Sequence, residues 1–338
     1  MLKFFLRRIL WMIPVLLVIL ATIFLIMKSI PGSPWDANGG QKALVNTRMD
    51  DSTRAALDRR FGLDQPLLAQ FSSYVFGRRD TDGTFVCGLI CGNLGPSYRQ
   101  RGRSVQDILF DRPEGRSMWE SRFGYSLKLG GLAFLFSLLV GVPLGVMAAT
   151  RQNSWIDYAI RLLSTLAVSI PGFVLGLLLI MTLGTGLHIV VILPTSWATA
   201  APIVWVIPIV VLGLPTCAAM VKLVRAAMLD IMRKDFVRTA RAKGLSERLV
   251  IYTHMLKNAL IPVVTYSGPA LVELITGSFI IEAMFGFPGM GREYIDSVLR
   301  KDYSMIMGAT VIYALMIALI NLAVDMTYSY IDPRIRVE

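Results

Sequence analysis

Two histidines, three cysteines and a charged fraction of 17% are all that 338 residues hold, and each shortage closes off a class of chemistry. With His188 and His254 alone, no histidine-rich metal site can be assembled. Three cysteines are too few for a disulfide scaffold. No lysine directly follows a glycine, so the chain has no Walker A phosphate cradle, and neither GxSxG nor HExxH occurs. If ATP drives anything here, another subunit hydrolyses it.

Hydrophobic residues, by contrast, make up 54% of the chain, and the mean hydropathy is +0.59, far from the range of a soluble domain. Several apolar runs reach the roughly 20 residues a helix needs to cross a hydrocarbon core. The net charge of +11 does not point to nucleic acid, because the lysines and arginines flank apolar runs and form no basic face on a polar domain.

Six spans are expected, at about 9–27, 124–149, 158–183, 202–224, 259–281 and 304–328. Lys3, Arg7 and Arg8 precede the first span and hold its start in the cytoplasm. Its apolar run is too long for a signal peptide, so it reads as uncleaved. Residues 31–122 are polar and carry no spanning run; this region reads as extracytoplasmic, since long segments translocate despite their charge. Arg151 after the second span, and Arg225, Arg233, Lys234, Arg238, Arg241 and Lys243 after the fourth, then lie inside, and the C-terminal 329–338 returns to the cytoplasm.

The basic stretch RTARAKGLSERLVIYTHMLKNALIP, 238–262, separates the fourth span from the fifth. Helix formers run from about Lys222 to Lys243, and Gly244 then suits a left-handed helix end. Ser246 is placed to cap a second helix with Glu247 in its first turn, and Pro262 starts a new segment. A solvated loop and a helix lying on anionic lipid both fit the charge. Neither accounts for Phe236, Leu245, Leu249, Val250 and Tyr252 around the turn, residues able to fill a groove in a partner.

This turn resembles the EAA loop of ABC-importer permeases, and the chain as a whole is similar to the peptide/nickel-class family, B-type subunits of oligopeptide and dipeptide importers. RRILWMIPVLLVI with PGSP, FGLDQPLLAQF, GNLGPS, SIPGFV, RTARAKGL, KNALIPVVT, EAMFGFPGMGR and IDPRIR follow one another in the family's order. Arg238, Thr239 and Ala240 stand where the general pattern has Glu, Ala, Ala, and Lys257 stands where it has proline. FDRPEGRSMWESRFGYS, 110–126, replaces the shorter linker expected before the second span.

The resemblance implies an all-α membrane protein with the type I ABC-importer permease fold: six transmembrane helices, a long extracytoplasmic region between the first two, and a cytoplasmic coupling loop at about 226–258 within a 123–328 core. It implies a multi-pass subunit of a bacterial or archaeal cytoplasmic (inner) membrane that imports peptides, or alternatively nickel or another small solute. The partners implied are a second homologous permease, two ATP-binding subunits, an extracytoplasmic substrate-binding protein and membrane lipid. No cofactor is expected on this chain; ATP and Mg belong to the partners. Coupling to the ATPase is expected at Arg238, Ala240, Gly244, Leu245, Ser246 and Glu247.

Glu273 falls near the middle of the fifth span, where a carboxylate is costly and faces a cavity or a partner. It is a candidate for the translocation path; a protonated or paired structural glutamate is the alternative. Glu282, Phe285, Pro288 and Gly289, in EAMFGFPGMG, are candidates for an outer gate, with a re-entrant turn as the alternative. GVPLG and GFVLG carry the spacing that lets helices approach closely. Asn321 and Asp325 read as helix-holding groups, and Cys217 as a small apolar filler. Cys87 and Cys91, four residues apart, suit a disulfide in an oxidising compartment and equally two free thiols.

Overall fold

The computed structural model describes residues 2–30, 34–35, 50–79, 83–100, 102–111, 117–186, 197 and 201–331. Most of PGSP, the centre of the 110–126 insertion, His188, Asp325 as a side chain and DPRIR beyond Ile331 therefore lie outside the described residues. Two compact units are present, one of Met1–Gly124 with Arg292–Ala318, the other of Tyr125–Gly291 with the chain from Leu319.

In the first unit, α1 (Leu2–Ser29) includes the basic Lys3, Arg7 and Arg8, is apolar from Ile9 to Met27, and contains Pro14. Among the polar elements that follow, α2 (Asp51–Phe61) ends at Gly62, whose φ of +68° lets its N–H reach the Arg59 carbonyl. Next come α3 (Leu67–Phe76) and a short antiparallel hairpin, β1 (Gly77–Arg79) with β2 (Phe85–Cys87), in which Gly77 pairs with Cys87. Cys87 and Cys91 are joined in a disulfide across one turn, with their Cα atoms 5.9 Å apart. Ser104 caps α4 (Val105–Phe110) through a reciprocal box with Asp107, satisfying the backbone donors at both of these positions.

One carboxylate organises this unit. Asp302 is 3% exposed and accepts from the Ser97 hydroxyl and from the backbone N–H groups of Tyr98, Arg99 and Met305. Hydrogen bonds to a buried charged group contribute about 1.5–3 kcal/mol each. They tie the GNLGPSYR segment to the helix that starts at Tyr303, where Tyr98 lies edge-on to Tyr303 at 6.2 Å. Burial pushes the Tyr98 phenol up to about 12.

The second unit is built on α5 (Arg122–Thr150), α6 (Trp155–Ser169), α7 (Gly172–Leu179), which continues to Gly186 in a wider π winding, and α8 (Pro202–Met232). Then come α9 (Asp235–Ala242), α10 (Glu247–Leu249), a π-wound turn Val250–Met255, α11 (Leu256–Ala259), α12 (Ile261–Thr276), α13 (Phe279–Met284) and α14 (Met290–Arg300). Helix α14 from Arg292 onward, and the last helix, α15 (Tyr303–Ile331), as far as Ala318, belong to the first unit.

Glycines set how closely α5 and α8 approach. A Cβ on Gly141 would sit 2.8 Å from the Cys217 carbonyl oxygen, and one on Gly145 2.7 Å from the Val224 Cβ. The Ser137 hydroxyl adds a hydrogen bond to the Gly213 carbonyl at 2.8 Å. Gly176 approaches Met284 and Val211 in the same way. Both GxxxG pairs thus lie at contacts between helices of this unit.

Among the described residues, five helical stretches are long and apolar enough to cross a bilayer: Leu10–Ser29, Arg122–Thr150, Pro202–Met232, Ile261–Met284 and Tyr303–Val324. The expected third span, 158–183, is not one straight helix. It is two helices bent by 99°, and counts as a sixth span only if the pair is taken together. The cause is Ile170, held extended at φ −93° and ψ 120° by the proline after it, which disfavours the helical region at the preceding residue.

Candidate functional site: a glycine turn anchored to the inner helices

The expected helix from Lys222 to Lys243 is interrupted. Helix α8 stops at Met232, Lys234 is extended at φ −76° and ψ 148°, and α9 starts afresh at Asp235, whose carboxylate lies at the positive end of the new helix. The break turns the basic segment back onto its own unit. A cluster of wholly or nearly buried side chains results, drawing Val146 and Ala149 from α5, Val224 and Met228 from α8, Val237 and Ala240 from α9, and Val250, Met255, Ala259 and Val263 beyond. Removing a side chain such as Val237 or Val250 from water contributes about 1.5–3 kcal/mol, so this face of the turn is fixed.

Gly244 closes α9 in the left-handed region at φ +76°, its N–H donating to the Arg241 carbonyl at 2.9 Å. A Cβ there would meet nothing within 4 Å. Leu245 is half-buried against the cluster, and its N–H reaches the Ala240 carbonyl at 3.4 Å. Ser246 has the backbone of a helix cap, but its hydroxyl makes no capping bond, contrary to expectation. The restraint comes from across the turn: Arg241 grips Glu247 with two hydrogen bonds, 2.6 and 3.1 Å. That guanidinium holds the Glu247 carboxyl below its ordinary range. Sequence reasoning missed this clasp; opposite charges on either side of a helix-ending glycine were its only signal.

The candidate coupling residues divide by face. Ala240 and Leu245 point into the unit, whereas Arg238, Gly244, Ser246 and Glu247 are exposed. Arg238 makes a long pair with Asp235, at 3.6 Å. Of the five groove-filling candidates, Val250 is corrected: it is completely buried, because the π winding carries it inward. Phe236, Leu249 and Tyr252 remain outside, 45%, 44% and 62% exposed.

Arg225, expected as a loop cation, instead lies within α8. Its guanidinium meets both oxygens of Asp157 on α6 at 2.7 and 2.8 Å. The Asp157 side chain is wholly shielded, and it also accepts from the Asn153 N–H at 3.0 Å.

Glu273 lies on α12 and is exposed, while the residues after it, Leu274 and Ile275, are buried in the unit. It therefore points away from the chain's own packing. Glu282 is the opposite case, at 0% exposure. It accepts from the Ser278 hydroxyl at 2.6 Å and the Gly291 N–H at 2.8 Å, and Gly289 packs directly against it. Phe285 is fully buried, and Pro288 is half-buried. The FGFPG segment is thus a packed, carboxylate-pinned turn in this conformation. Among the described residues no three histidine, cysteine or acidic side chains gather as a metal set.

Comparison with known proteins gives these features a family. Residues 141–337 match the binding-protein-dependent transport system inner membrane component, and residues 1–118 match the N-terminal part of such membrane components. The chain is 36% identical over 337 residues to the oligopeptide transport system permease protein OppB of Escherichia coli strain K12, covering 99% of this chain and 100% of that one. It is 35% identical over 336 residues to the dipeptide transport system permease protein DppB of Bacillus subtilis strain 168, covering 99% and 98%.

Proposed function

The chain belongs to the family of binding-protein-dependent transport system inner membrane components, and from that premise we propose that it is one permease half of an ATP-driven peptide importer. A second, related permease completes the pathway, two ATP-binding subunits meet the glycine turn from the cytoplasm, and an extracytoplasmic binding protein delivers cargo to the region 31–122. Both termini lie in the cytoplasm. The relatives' names favour oligopeptides and dipeptides over nickel or another small solute.

One observation carries the coupling role: the turn is two-faced. Its inner side is locked to α5 and α8 by the Val237–Val250–Met255 cluster. Its outer side offers open space at Gly244 beside exposed Phe236, Leu249 and Tyr252. Apolar side chains around a rigid turn suit a groove in a second protein, and a fixed inner face passes displacement on to the spans. Arg238, Ser246 and Glu247 rim the contact, while Ala240 and Leu245 anchor it.

Glu273, exposed within an apolar span, is assigned to the translocation path, since a carboxylate facing lipid alone costs several kcal/mol. It is suited to a cargo ammonium group. Glu282 with Phe285, Pro288 and Gly289 acts in any outer gate through the position of the pinned turn, because Glu282 and Phe285 are sealed inside the unit.

The test is purification of the tagged chain in mild detergent from its own host, with mass spectrometry of what accompanies it. An ATPase pair and a second permease are expected. Recovery of the chain alone, under conditions that preserve other membrane complexes, would refute the reading.

A further inference from the structure

The Asp157–Arg225 pair has no part in the coupling surface or the translocation path described above, yet it is expensively built. Two charges removed from water are retained only with good geometry, and here the geometry is fork on fork: Nε to Oδ1 at 2.7 Å, Nη2 to Oδ2 at 2.8 Å. The Asn153 N–H fills a further acceptor site of the carboxylate, and the Ser154 cap fixes the helix end that carries it. Arg225 is 19% exposed and Asp157 not at all.

Its place in the unit gives it a use. On α8, Arg225 follows Val224, which packs into the cluster holding the glycine turn, and lies one helical turn beyond Val221, which packs with Ala148 and with Ile160 of α6. On α6, Asp157 stands at the start of the helix whose other end is the 99° break before Pro171. Apolar contact between α6 and α8, as at Ile160 and Val221, is non-directional. A bidentate guanidinium–carboxylate contact fixes register.

We propose that Asp157 and Arg225 are positioning residues for transport: the joint through which displacement of the glycine turn and the inner end of α8 is passed to α6, and so to the bend between α6 and α7. This deepens the coupling reading and rests on it. The pair touches neither cargo nor nucleotide. Its action is to keep α6 and α8 moving as one body, so that motion reaches the break at Ile170 and is not lost in slip between the helices.

The experiment uses the whole complex in nanodiscs, with Cys217 replaced by alanine, the Cys87–Cys91 disulfide intact, and spin labels at positions 162 and 177, whose native leucines are 62% and 51% exposed on α6 and α7. The distance between the labels is compared in the resting and vanadate-trapped states. Asp157→Asn with Arg225→Gln removes both charges together, avoiding a stranded buried ion. The expected result is a shift on trapping in the parent complex that is mostly lost in the double variant, while basal ATP hydrolysis persists. An undiminished shift in the double variant, or no shift in a parent complex that hydrolyses ATP, overturns the joint and leaves the coupling reading standing. A parent chain that retains no ATPase sinks both. If the double variant does not assemble, Arg225→Lys decides: it keeps the charge and removes the fork, so a full parental shift there refutes the proposal, and a partial loss supports it.

Discussion

Substituting Gly244 by alanine and by tryptophan separates the turn's own stability from what docks on it. At φ +76° an L-residue pays about 1–2 kcal/mol for the left-handed conformation, roughly a 5- to 30-fold change in the turn's local equilibrium. The structure adds no steric cost, because a Cβ at this position has nothing within 4 Å. In the isolated chain, alanine and tryptophan should therefore lower the melting temperature by similar small amounts. They differ only for a body outside the chain: a methyl group leaves most of the space above the turn open, whereas an indole fills it. Quantitative mass spectrometry of tagged complexes should find Gly244→Ala with reduced but measurable ATPase, and Gly244→Trp with none. Retention of ATPase at the parental level in the tryptophan variant would refute docking over Gly244. Equal, complete loss in both would show that the left-handed conformation itself, and not the open surface, is what matters.

Gly145→Val should destabilise the chain by about 1–3 kcal/mol, as overpacking does, since its Cβ would lie 2.7 Å from that of Val224; Gly131→Val, with nothing within 4 Å, should melt near the parent in detergent. Glu273→Gln should slow uptake of cationic peptides in proteoliposomes, and parental uptake would remove Glu273 from the path. The Arg241–Glu247 clasp holds the carboxyl below its ordinary 4.5. Its stabilisation is accordingly complete above the unfolded value and lost as pH falls through the lower folded one. At 40% and 56% exposure, solvent screening limits the effect to about half a kcal/mol or less. The protection factor for hydrogen exchange at the Leu245 amide, which donates to the Ala240 carbonyl, should therefore fall only in acid, and Glu247→Gln should abolish the change.

Much of this was legible because lipid-spanning helices announce themselves in one dimension. The run of apolar residues that makes α1, α5, α8 and α15 is local information, and so is the left-handed preference that places Gly244 at a helix end. The break at Ile170 was written too, in the proline that follows it, but a proline inside an apolar run signals either a tolerated kink or a new helix. Pro143, Pro208 and Pro215 stay within continuous helices, so the same residue type carried opposite outcomes. Only packing distinguished them.

The face of each residue was the harder matter. Val250 and Tyr252 look alike as apolar neighbours of a glycine turn, yet a π-wound stretch buries one and exposes the other. Glu273 and Glu282 read as two acids of one apolar segment, and they ended with opposite burial. Arg225 looked like one more inner-loop cation, because nothing within a few residues shows Asp157, 68 positions away. Sequence alone thus determined most of the stretches long and apolar enough to cross a membrane, where the basic turn lies and which family's motifs it bears, since hydropathy, caps and motifs act over a few residues. Tertiary structure alone decided which side of the turn is open, which carboxylate is sealed and which charges pair. Those depend on helices distant in the chain meeting at close range, and in a low dielectric such meetings, not composition, set what a charge costs and does.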